Sequence, residues 1–294
     1  MGKVNPKIDL AFKKLFGIEE NKDLLLSLVN SILPPQEQVI ELTLSNPYNL
    51  ADYLQGKLII FDIKATDEKG RHYDIEMQIA GHDLYGKRTL FYWARMYANQ
   101  LKKGEGYMDL KKCIVISLMD FNYFEDDEYI RCLSLHNKKT LAWDERFDYL
   151  DLYFIELKKF EERHQTIGNT LERWIKFLNN ASKYVNDDLP QELAEVKEIQ
   201  KAYKQLDRMN FASKEQYYYE AQLKFWREPE AILVTEIDKA SKKAREEGRE
   251  EGREEGILMS AKNLIQAGAT DELIIQATLL TVEEIQALRN SLNG

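Results

Sequence analysis

The sequence predicts an α/β fold, with a mixed sheet flanked by helices and then an all-helical C-terminal extension. Three observations carry this. The stretch IIFDIKATDEKGRHYDIEMQIAG, residues 59–81, alternates apolar and polar positions on either side of a glycine, as a β-hairpin does. Two later runs, KKCIVISLMDF and YLDLYFIEL, are apolar and rich in β-branched or aromatic residues, the mark of buried strands. From about residue 158 onward the apolar spacing is helical.

Taken in order, PKIDLAFKKLFG and NKDLLLSLVNSIL have helical spacing, interrupted at Gly17 and ended by Pro34 and Pro35. PQEQVIELTLSN supplies a short strand, and the hairpin follows. Residues 84–103 form a helix on which Leu90, Ala94, Tyr97, Ala98 and Leu101 make an apolar stripe of the kind that faces a core. On the opposite side Arg88, Tyr92, Arg95, Asn99 and Lys103 form a polar stripe suited to phosphate contacts, although most such stripes are simply solvated. The two buried strands come next. The acidic YFEDDEY near residues 123–129 reads as a solvated loop.

Gly70 sets the hairpin register. A three-residue loop, Glu68-Lys69-Gly70, with the glycine left-handed, puts Asp67 opposite Arg71. One face then pairs Ala65 with Tyr73, Ile63 with Ile75, Phe61 with Met77 and Ile59 with Ile79, all apolar. The other pairs Lys64 with Asp74, Asp62 with Glu76 and Ile60 with Gln78. A shift of one residue scatters the apolar set over both faces, so the pattern selects this register. It also places the Asp62 and Glu76 side chains on one face, with Cβ atoms roughly 4.5–5.5 Å apart, where like charges destabilise a sheet. Lys64 and Asp74 can offset them from alongside, as on an ordinary solvated face. Alternatively, a hard divalent cation can sit between the two carboxylates.

An acid on one strand followed by Glu-x-Gln on the next resembles the PD-(D/E)XK nuclease superfamily. The segments DLAFKKLFG, FDIKATDEKGRHYDIEMQ, YGKRTLFYWARMYANQL and LYFIELKKF more narrowly resemble the recombination-promoting nucleases, or transposase-like proteins, within it. The likeness covers roughly residues 5–160, and the hairpin is its most specific part. It implies a PD-(D/E)XK-like αβββαβ core that cleaves DNA phosphodiesters with Mg²⁺ or Mn²⁺. Asp62 and Glu76 match the metal carboxylates, and Asp9 lies where a third acid often occurs. The residue type at Asp9 is also what a helix start favours. Gln78 departs from the lysine of the superfamily's name; being neutral, it can orient a water but takes no proton. Lys64, on the same face, can supply the missing charge. The resemblance leaves two other classes open: a binding or scaffold protein whose nuclease site has decayed, and a transposase that also joins strands.

The 294 residues are 44% hydrophobic and 31% charged, ordinary for a water-exposed protein with a sizeable core. The net charge of −9 excludes a nonspecific polycation. Residues 1–120 carry equal numbers of acids and bases, so the acidic excess lies in 121–294. No run is long enough for a transmembrane helix, and the first residues hold no apolar signal core, which gives the expectation of a cytoplasmic protein. Cys113 and Cys132 read as free buried thiols. His72, His82, His136 and His164 show no metal-ligand spacing, and neither a Gly-rich phosphate loop nor a nucleophile elbow is present.

Three domains are expected: a nuclease-like core over 1–160, a helical extension over 161–235, and a module over 236–294. The last contains EEGREEGREEG. Ala240, Ala244, Gly248, Gly252, Gly256 and Ser260, spaced by four, form a small-residue stripe on a helix. Glycine costs about 1 kcal/mol per helical position, so the stripe suits close packing against a partner helix and a homodimer, the alternative being a charged linker. Two short helices end the chain, the second started by a capping box of Thr281 and Glu284.

Overall fold

The structure, a computed structural model, describes residues 4–48, 62–81, 84–102, 104–163, 167–184, 189–227, 256 and 258–292. The chain divides into two compact units, Met1–Arg227 and Glu228–Gly294.

The first unit opens with α1 (Asp9–Phe16) and α2 (Lys22–Ile32), followed by the short strand β1 (Leu42–Leu44). The hairpin strands β2 (Ile63–Asp67) and β3 (His72–Gln78) come next, then α3 (Tyr85–Ala98). Strand β4 (Cys113–Met119), β5 (Ile130–Ser134) and β6 (Leu150–Glu156) complete the sheet. The remaining helices are α4 (Leu157–Arg163), α5 (Thr170–Asn180), α6 (Gln191–Ala194), α7 (Lys197–Arg208) and α8 (Ser213–Arg227). The sheet has six strands in the order β1-β2-β3-β4-β6-β5. Its centre, β3-β4-β6, is parallel, and β1, β2 and β5 run antiparallel to their neighbours.

The hairpin has the expected register. Ile63 pairs with Ile75, Lys64 with Asp74, Ala65 with Tyr73 and Thr66 with His72. Phe61, Ile60 and Ile59 lie outside the described residues. At the turn, Gly70 has φ +78° and donates to the Asp67 carbonyl at 3.0 Å. The buried Asp67 carboxylate accepts from Arg71 Nε at 2.6 Å and from the Tyr73 hydroxyl at 3.0 Å. The loop is therefore tied into the core by its own flanking residues.

Both faces of β4 and β6 are buried, which is why these strands read as continuous apolar runs. One face joins Ile63, Tyr73, Ile75, Ile114, Ile116 and Ile155 to α1, α2, α5 and α7 through Phe12, Phe16, Leu25, Trp174 and Tyr203. That same cluster includes residues of 170–206, part of the expected helical extension. On the other face Val115, Met119, Leu152 and Phe154 pack against Tyr85, with Trp93 and Met96 of α3 alongside.

Three expectations need correction. The apolar stripe on α3 does not face the core: Leu90, Ala94 and Ala98 are exposed, while Tyr85 and Thr89 are buried. The helix also ends at Ala98, short of residue 103. Cys132 is exposed on β5, a strand the sequence pattern did not reveal because its positions lack regular alternation of burial. Cys113 is buried as expected.

In the second unit, helical residues 258–266, Asp271–Thr278 and Val282–Leu292 surround Ala261, Ile274 and Ile285. The capping box is present: Thr281 N donates to Glu284 Oε2 at 2.8 Å, and Glu284 N to Thr281 Oγ1 at 3.3 Å. Of the small-residue stripe, Ala240, Ala244, Gly248 and Gly252 lie outside the described residues. No helix of the described residues is long and apolar enough to cross a membrane.

The positive φ at Gly70 makes the hairpin sensitive there. Gly70→Ala should lower unfolding stability by about 1 kcal/mol, and Gly70→Asn by less, because asparagine tolerates the left-handed region better. Urea denaturation of the two variants beside the wild type measures this order.

Candidate functional site

Because β-strand side chains alternate, His72, Asp74, Glu76 and Gln78 leave β3 on one face while Tyr73, Ile75 and Met77 start out toward the other. A cleft of about 630 Å³ opens there, bounded by β2, β3, α1 and α3. Eight of the residues singled out in the sequence line it: Asp9, Asp62, Lys64, Glu76, Gln78, Arg88, Tyr92 and Arg95. Asn99 lines it too, and Lys103 is outside the described residues.

Glu76 is buried and held from several sides. Its Oε1 accepts from the Tyr85 hydroxyl at 2.9 Å and from Ser117 Oγ at 3.4 Å, and its Oε2 accepts from Gln78 Nε2 at 3.0 Å. Ser117 is delivered by strand register, since it pairs with Glu76 across β3 and β4. Arg88 Nη2 lies 3.8 Å from Glu76 Oε2, too far for a hydrogen bond, and its guanidinium sits over the Tyr85 ring, 5.0 Å from the centroid.

Asp62 precedes the first described ladder pair, Ile63 with Ile75. Its main chain is fixed instead by two side chains. Lys13 Nζ, from α1, donates to the carbonyls of Asp62 and Asn46, each at 2.7 Å. Asn46 donates to the Asp62 carbonyl at 3.1 Å and accepts from Lys64 N at 2.8 Å. Lys64 Nζ pairs with Asp62 Oδ2 at 3.4 Å, although Asp74 is its cross-strand neighbour.

Asp74 is a member of this acidic group that the sequence revealed merely as a possible partner of Lys64. It is buried and shares a hydrogen bond with Asp62. Its carboxyl is pushed up to about 8, first by burial and then by the charge of Asp62. Asp9 is pushed up to about 7 by burial and the nearby Glu76 charge. Glu76 is raised as well, mainly by burial. Burial brings the Lys13 amine down to about 8 against the pull of Asp62 and Asp74. Like-parity spacing on β3 could have flagged Asp74. Lys13, Asn46, Tyr85 and Ser117 carry no signal in the sequence, because tertiary contact alone brings them to the acids.

Asp9 Oδ1, Asp62 Oδ1 and Asp74 Oδ1 are buried and accept no hydrogen bond, and Arg88 Nε and Nη2 donate none. Buried polar atoms are almost always paired, with protein, ordered water or an ion, and these exceptions lie together along the cleft. Among the described residues, no group of three or more acids, imidazoles or thiols is placed to hold a metal ion. The donors nonetheless fit a hard cation, which takes one or two carboxylates and completes its shell with water and phosphate oxygens.

The family model for PD-(D/E)XK nuclease family transposases matches residues 6–236. This chain belongs to that family. No curated protein and no solved structure matches it. In this PD-(D/E)XK nuclease family transposase, the matched span contains every cleft residue named above.

The raised carboxyls fix the sign of a pH dependence. The native protein keeps protons on Asp9 and Asp74 that the unfolded chain releases near pH 4. Stability without metal therefore falls as pH rises, by up to about 1.4 kcal/mol per pH unit for each acid still protonated in the native state. The half-buried His72, whose affinity for protons is lowered mainly by desolvation, works in the opposite sense below about 6.5. Melting in EDTA between pH 6.5 and 7.5 should show the midpoint falling, with a shallower slope for Asp74→Asn.

Proposed function

We propose that the cleft is the active site of a divalent-metal-dependent DNA endonuclease. The observation that carries the reading is the group of unsatisfied, buried carboxylate oxygens on Asp9, Asp62 and Asp74, gathered beside Glu76 in a cleft whose other wall bears Arg88, Tyr92 and Arg95. In this reading Asp62 and Glu76 hold Mg²⁺ or Mn²⁺, and water and phosphate oxygens complete its shell. The cation's contribution is to acidify a water and offset charge on the phosphate.

The chain's own residues do the rest. Tyr85 and Ser117 fix one Glu76 oxygen and Gln78 the other, so the carboxylate has little rotational freedom. Gln78 gives one amide N–H to Glu76, and its amide oxygen can orient a water without taking a proton. The idle Arg88 donors provide a fork for phosphate oxygens. Lys64, paired to Asp62, stands as a point charge at the rim. Hydrolysis forms a water oxygen–phosphorus bond, breaks one phosphoester bond and returns a proton to the departing alcohol.

Purified protein incubated with supercoiled plasmid tests this. Nicked or linear DNA should form with Mg²⁺ and not with EDTA. Asp62→Ala and Glu76→Ala should each cut activity by more than the roughly 10–100-fold lost with an outer partner of a metal ligand. Equal activity in wild type and both variants overturns the assignment. A decayed site predicts no metal-dependent product at all, and joined strands identify transfer rather than hydrolysis.

We also assign self-association to the C-terminal helices, on the strength of the small-residue stripe from Ala240 to Ser260. A two-fold pair places two clefts in one particle, which suits cutting both strands of a duplex. Sedimentation should show a dimer that weakens in the triple variant Gly248→Leu, Gly252→Leu, Gly256→Leu. Unchanged mass makes the repeat a linker.

A further inference from the structure

Helix α3 has a third face, neither core nor cleft wall. Leu84, just before the helix, is 59% exposed, Leu90 50% and Phe91 61%. A surface helix normally gives such residues to the core. Here the core side is taken by Tyr85 and Thr89. Phe91 stands directly beside the cleft, its ring centroid 6.0 Å from that of Tyr92 and the planes tilted by 56°. Tyr92 lines the cleft and is itself 39% exposed.

The charge on this segment points to the occupant. Residues 84–102 contain Lys87, Arg88, Arg95 and Lys102 and no acid, in a chain whose net charge is −9. Helical spacing makes Arg95 and Lys87 neighbours of Phe91 at i+4 and i−4, and puts Arg88 and Arg95 beside Tyr92 at i−4 and i+3. A second copy of this helix would oppose base to base. A polyanion would not. The phosphates of duplex DNA satisfy the bases but offer nothing to exposed rings and leucines. An unpaired strand satisfies both, because its bases have free faces that stack on aromatic side chains while its phosphates follow the cations.

We infer that the outer face of α3 is a platform for single-stranded DNA, and that the strand entering the cleft does so unpaired, with one base against Tyr92 and the next against Phe91. This rests on reading the cleft as the site that takes DNA, and it narrows the substrate to single strands or to duplexes with an unpaired segment at the cut.

Binding without cleavage tests it. Fluorescence anisotropy in EDTA compares the full-length protein on a labelled oligothymidylate and on a labelled duplex of equal length. The single strand should bind more tightly. Phe91→Ala should weaken it by about tenfold, the size of losing one stacked base, and leave duplex binding unchanged, while Phe91→Trp should retain it. Lys87→Ala should weaken both probes and reduce the salt dependence by about one counterion. Equal or tighter duplex binding overturns the inference, as does a Phe91→Ala variant that binds the single strand like wild type. The two readings fail separately. Plasmid cleavage with duplex-preferring binding leaves the endonuclease standing, and Phe91-dependent single-strand binding without metal-dependent cleavage leaves the platform standing.

Discussion

The structure is organised around one electrostatic constraint: acids gathered against the hairpin in a partly dry cleft. Like charges on facing strand positions oppose folding, and burial makes each charge costlier. Asp62 and Asp74 share a hydrogen bond, and both Asp74 and Asp9 hold their protons into the neutral range. Lys13, Lys64 and Arg88 surround the group with positive charge. A sequence selected for stability alone would not keep this arrangement, since one apolar residue in place of Asp74 removes much of the conflict. Strain of this kind is ordinarily retained where binding a ligand relieves it.

Each acid is tied to a different part of the fold. Glu76 rides on a central parallel strand whose register brings Ser117 beside it and whose far face is packed with apolar side chains. Asp62 hangs from Lys13 and Asn46 at the edge of the described ladder. Asp9 begins α1, which is anchored by Phe12, Leu15 and Phe16 in the main core. The cleft's geometry is therefore only as rigid as the packing of α1 against the sheet, and Lys13 links the two by bonding from the helix to the strand that carries the acid.

Helix α3 carries two jobs on adjoining faces. Its inner face seals the sheet through Tyr85, Trp93 and Met96, and the neighbouring face completes the cleft wall. The residues that look most like a core stripe in the sequence are left on the outside. Tyrosine, tryptophan and threonine can fill a core position, and alanine and leucine can occupy a surface, so hydrophobicity alone misassigns the faces of a helix rich in both.

What the sequence determined by itself is the hairpin. Strict alternation and a glycine that needs a positive φ left one register compatible with a buried face, and that register put Asp62, Lys64, Asp74, Glu76 and Gln78 on one side. The polar stripe Arg88, Tyr92, Arg95 was legible too, because helical spacing is local. The tertiary structure alone decided how those pieces meet. It brought Asp9 across from α1, hung Asp62 on Lys13 and Asn46, set Tyr85 and Ser117 against Glu76, and turned α3 so that its basic stripe faced the acids. These contacts join residues far apart in the chain, whose spacing carries no periodic signal. They are fixed by how side-chain volumes fill the space between helix and sheet, a property of the packed molecule rather than of any segment within it.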